Sequence, residues 1–92
     1  MTQQVIGGVD THGLTHHAAV IDAGLGRQLG DREFPATTAG YRALAAWLAG
    51  HGQVVAVGME GTGAYGAGLA RHLAEVGLTV VEVDRPDRKM RR

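Results

Sequence analysis

At Thr37 the apolar period of the chain changes, and that change limits the folds open to it. Before it, QVIGGVD (residues 4–10), THHAAVID (15–22) and RQLGDREF (27–34) read as short strands. The turn segment AGLGR links the second to the third, and Pro35 closes the third. After it, Tyr41, Leu44, Ala45 and Leu48 fall at i, i+3, i+4 and i+7, one face of a helix with Thr37 as N-cap and Gly50 and Gly52 at its end. QVVAVGM (53–59) is apolar throughout and reads as a strand buried on both faces. Leu69, Leu73 and Val76 mark a second helix, with Thr62 as its N-cap and Gly77 closing it; LTVVEV (78–83) is a fifth strand. The order is β-β-β-α-β-α-β. An antiparallel meander leads into a parallel βαβ crossover, whose connection is expected to be right-handed.

Bulk properties narrow the class further. The 92 residues allow one domain with a modest core, and a hydrophobic fraction of 45% is that of a globular chain. Fifteen glycines fall at turns and not in a repeat, as expected of many short elements. The formal net charge is zero, yet the last eight residues, RPDRKMRR, hold five basic side chains against one aspartate. Such a run is either a solvated end or a nucleic-acid-facing segment. No cysteine is present, which excludes disulfides and thiolate metal sites and fits a reducing, cytoplasmic location. No apolar run approaches the ~20 residues of a membrane span, and MTQQVIGG has none of the regions of a signal peptide.

Asp10 and Glu60 carry the chemistry. Each stands at the end of an apolar strand, where a desolvated carboxylate needs a partner, water or a metal. If the first and fourth strands are neighbours, the two acids converge at one end of the sheet. A hard, oxygen-seeking divalent cation would then relieve their repulsion. A pair of such ions about 4 Å apart can activate water and stabilise the leaving oxygen in phosphodiester cleavage. Two acids that far apart in sequence are also compatible with ordinary loop residues.

The order of elements, with acids on the first strand and after the fourth, resembles the ribonuclease H-like fold of nucleases and transposases. A closer likeness lies in GGVDTHGLTHHAAVID, FPATTAGYRALAAWL, VVAVGMEGTGAYGAGLARHL and VVEVDRPDRKMRR. These blocks, in that order and over nearly the whole chain, resemble the N-terminal domain of IS110-family transposases, itself similar to the Holliday-junction resolvase RuvC. The resemblance implies DNA strand cleavage and recombination during transposition, with a metal set of Asp, Glu, Asp and Asp. Its first two members map to Asp10 and Glu60, as catalytic residues and ligands of Mg²⁺ or Mn²⁺. The last two lie, in the family, on a helix beyond an Arg-rich stretch; Asp84 and Asp87 precede that position and do not match them. Residues 1–92 are therefore expected to form the N-terminal part of the domain, incomplete at its C-terminal side, without the final helix and the serine-bearing second domain, and inactive alone. The family also implies a guide RNA encoded by the element and a homo-oligomer.

The other residues admit two readings each. GTGAYG lacks the Lys-Ser/Thr of a P-loop and does not complete G-x-G-x-x-G, so its glycines read as a tight turn with close helix packing. His16 and His17 are adjacent on a strand, point to opposite faces and cannot share one ion; His12 lies near Asp10 and could face the site. Trp47 and Tyr41 could stack bases; Trp47 reads as a packing residue near a helix end. Tyr65, after the Glu60 loop, is the better nucleic-acid contact, together with Arg85, Arg88, Lys89, Arg91 and Arg92. Two rival functions share these features: an actin-like ATPase or sugar-kinase fragment, and a non-catalytic nucleic-acid-binding module. With no covering helix, one sheet face is expected to stay partly bare and to promote association.

Overall fold

A computed structural model describes residues 3–61 and 65–83. The expected elements form in the expected order: β1 (Gln4–Thr11), β2 (Thr15–Asp22), β3 (Gln28–Pro35), α1 (Thr38–Ala49), β4 (Gln53–Glu60), α2 (Ala67–Glu75) and β5 (Val80–Glu82). They build one five-stranded mixed sheet in the order β3-β2-β1-β4-β5. β1 pairs antiparallel with β2 and parallel with β4, and β4 is parallel to β5. This is an α/β arrangement consistent with the ribonuclease H-like one.

Local chemistry fixes the helices. The Thr37 hydroxyl accepts from the Gly40 amide at 3.0 Å and caps α1. Leu44 and Leu48 of α1 and Leu69 and Leu73 of α2 are fully buried. α2 ends in a Schellman pair, with Gly77 at φ 89°: the Gly77 amide donates to the Ala74 carbonyl and the Leu78 amide to the Leu73 carbonyl, both at 3.0 Å. Its start departs from expectation. Gly66 occupies the cap position and offers no side chain. Thr62 lies outside the described residues.

Both helices lie on one face of the sheet. There Val5, Val9, Ala18, Val20, Phe34, Val57 and Met59 meet the four helix leucines in a single core. Trp47 is tilted against Phe34 at 5.6 Å between ring centres, and Tyr41 stacks on His16 at 5.9 Å, so both take the packing role. The alternation of β4 corrects the expected burial on both faces. Val57 and Met59 are covered, but Gly58 and Glu60 face a side that no helix among the described residues covers. Val55 is 45% exposed because it is the extra residue of a β-bulge between the Val5–Val54 and Ile6–Ala56 pairs.

Candidate metal and nucleic-acid site

Pairing across the sheet decides which side chains meet. Asp10 is registered directly with Glu60 on β4 and with His17 on β2, and His17 is registered with Glu33 on β3. Adjacent strands lie about 4.8 Å apart and registered residues share a face. Glu33, His17, Asp10 and Glu60 therefore form one polar rung on the uncovered face. Asp10 and Glu60 stand at the carboxyl ends of two parallel neighbours whose connections leave in opposite directions. That is the switch-point position at which open α/β sheets bind ligands.

Beneath the rung the face is small and apolar. Gly8 and Gly58 are paired side by side, Ala19 flanks Gly8, and Ile6 and Ile21 continue the surface. With Val83 at the rim they line an open depression of about 470 Å³ that has Asp10, His17 and Glu60 at its polar end. Among the described residues no group of three or more His, Cys, Asp or Glu is placed to hold a metal ion.

The turn after β4 is built to hold Glu60 in place. The Thr11 hydroxyl donates to the Glu60 carbonyl at 2.7 Å and ties the ends of β1 and β4 together. Gly61 then takes φ 76°, and a Cβ there would collide with the same hydroxyl. Gly66 donates its amide to the Gly61 carbonyl at 2.9 Å. A Cβ on Gly66 would lie 2.9 Å from Thr11 Cγ2, and one on Gly68 would lie 2.7 Å from the Tyr41 hydroxyl. These glycines serve the turn and close packing; Gly63 lies outside the described residues.

The three early histidines separate as their positions suggest. His12 Nε2 is 3.7 Å from Asp10 Oδ2, at the rim. His17 points to the uncovered face and donates through Nε2 to Asp31 Oδ2 at 2.7 Å. His16 points into the core and is fully buried, with both ring nitrogens unpartnered among the described residues. Burial holds its pKa below the usual 6.5; the neighbouring His12 adds to this, and the Thr15 backbone offsets part of it.

Tyr65 is 61% exposed, and its ring edge lies 3.7 Å from where a Cβ on Gly13 would be, so it stands beside the β1–β2 turn at the acid end of the sheet. Arg85, Arg88, Lys89, Arg91 and Arg92 lie outside the described residues. Sequence reasoning missed the His17–Asp31 pair and Glu33. The short turn after Thr11 could have paired His17 with Asp10, because pairs on either side of it must match outward from residues 12 to 15.

No helix among the described residues is long and apolar enough to cross a membrane. A family model described as a transposase, the DEDD domain of IS110 elements, matches residues 7–92. No curated protein matches the chain.

Proposed function

The chain belongs to the IS110 family of transposases, and on that premise we propose that Asp10 and Glu60 together hold a divalent cation, Mg²⁺ or Mn²⁺, against a DNA phosphodiester. The observation that carries this reading is the direct register of the two acids on the uncovered face, at the carboxyl ends of β1 and β4. The donor set fits such an ion. Mg²⁺ is usually held by one or two carboxylates and keeps several waters, and this face is open to water. When bound, the ion would neutralise phosphodiester charge and lower the pKa of a bound water.

The chain's own residues do the positioning. Asp10 and Glu60 present their oxygens from strand ends that the Thr11 hydroxyl clamps together. Tyr65, against Gly13 in the turn after β1, would meet a base. The basic residues Arg85, Arg88, Lys89, Arg91 and Arg92 would supply the salt-dependent attraction for the DNA backbone. Through these residues the chain would bind both metal and DNA. The finer readings follow the family: recombination during transposition, a guide RNA, a homo-oligomer and a cytoplasmic location. The family match favours this reading over a nucleotide-binding fragment.

Thermal unfolding tests the metal reading. At ten times its dissociation constant an ion adds about 1.4 kcal/mol, several degrees for a domain of this size. Asp10→Asn and Glu60→Gln should each abolish most of that rise in Mg²⁺ or Mn²⁺. An equal rise in both variants would defeat the proposal.

A further inference from the structure

We infer that the β1–β2 turn carries a wedge, Leu14 backed by Tyr65, that inserts beside an unpaired DNA base near the phosphate held at Asp10 and Glu60. The inference rests on the function proposed above and adds to it how the DNA would be distorted there. Leu14 is 86% exposed, the most exposed large apolar side chain among the described residues. A single exposed leucine needs no explanation, and Leu25 on the β2–β3 turn is 80% exposed as well.

The Leu14 backbone is fixed: the Leu14 carbonyl accepts from the Ala36 amide at 2.9 Å, and the His12 amide donates to the Thr15 carbonyl at 3.0 Å to close the turn. The side chain is therefore held out in water by a tied backbone. Both turns have a tied backbone, that of Leu25 through bonds from the Leu25 and Gly26 amides to Asp22, and two further observations set Leu14 apart. An aromatic ring lies against its turn, since Tyr65 approaches Gly13, the residue before Leu14. The turn also follows the acid end of β1, where His12 approaches Asp10 at 3.7 Å, whereas Leu25 sits at the opposite end of the same strands.

The placement suits a base. Leu14 is four residues from Asp10, at most about 13 Å along the backbone, or roughly four base steps of a DNA strand. Leucine is among the apolar side chains that wedge between base steps, and an aromatic ring offers a stacking surface that accepts any base. A phosphodiester held at the acid pair would bring its neighbouring bases to this turn.

Fluorescence anisotropy on the 92-residue chain in Ca²⁺ tests this, with two DNAs: a perfect duplex, and the same duplex with two unpaired bases, one of them 2-aminopurine. The expected result is tighter binding of the second by about fivefold or more, the worth of one stacked base, with a change in 2-aminopurine emission. Leu14→Ser and Tyr65→Ala should each lower that ratio and diminish the emission change; Leu25→Ser should leave both as they are. Leu14→Ser retaining the full ratio, or Leu25→Ser losing it equally, would overturn the wedge while leaving DNA binding intact. A preference seen only with RNA of the same sequence would overturn the assignment to DNA. Failure of the unmodified chain to bind either duplex would instead remove the function on which the wedge rests.

Discussion

Replacing His16 with leucine should stabilise the protein, and by more in acid than at neutral pH. The imidazole is fully buried between β2 and α1, stacked on Tyr41, with Phe34 opposite it on β3 and His72 of α2 behind Tyr41 at 6.1 Å. No carboxylate contributes to its shift, and His12 makes a proton on it more costly. An unsatisfied buried polar group costs about 2 kcal/mol, and the lost ring stacking returns about 1 kcal/mol, so His16→Leu should gain about 1 kcal/mol at pH 7.5.

The pH dependence follows from the sign of the shift. The folded pKa lies below the unfolded value of 6.5, so below that pH the unfolded chain takes up a proton that the folded chain refuses. Stability is whole above that value and falls with pH down to the folded pKa. The loss at pH 5 is bounded at about 2 kcal/mol, the limit for a ring that never takes up a proton when folded. Groups common to both proteins largely cancel in the comparison, so the advantage of His16→Leu should widen in acid from about 1 kcal/mol by up to about 2 kcal/mol more. Urea unfolding at the two pH values measures it, with Trp47, the single tryptophan, reporting through its contact with Phe34. A gap that does not widen in acid would refute the reasoning, since it would mean that the folded ring is solvated or protonated.

Two further substitutions probe the supports of the site. Thr11→Val keeps the shape of the side chain and removes the 2.7 Å bond to the Glu60 carbonyl; a loss of about 1 kcal/mol in urea unfolding is expected, and an unchanged midpoint would mean that the clamp carries no weight. Gly40→Ala should destabilise by about 1–2 kcal/mol, although alanine favours helix, because its Cβ would overlap the Pro35 carbonyl where β3 turns into α1. A more stable variant would show that this junction can relax.

The elements were legible because each carries its own period and its own punctuation. Thr37, Gly77 and the leucine stripes state the helices locally, and β2 forms over the residues its apolar run marks out. What stayed hidden depends on relations between strands. An apolar run such as QVVAVGM suits a strand covered on one face or on both. Only the placing of α1 and α2 on the same side left Gly58 and Glu60 uncovered.

The polar rung shows the same limit more sharply. Counting outward from the β2–β3 turn, Ile21 pairs with Gln28, which would match His17 with Arg32. An irregularity on β3 restores the count so that Val20 meets Gly30 and His17 meets Glu33. That one extra residue, Leu29, turns Asp31 and Glu33 toward His17. Nothing in the composition of RQLGDREF announces it.

The parallel pairing of β1 with β4 also fixes how the two acids can meet. No hairpin can nucleate a parallel pair, so bringing Asp10 and Glu60 into register means closing a loop of about fifty residues through β2, β3 and α1. An ion shared by the two would act as a latch on the finished molecule, slowing its opening far more than it hastens its assembly.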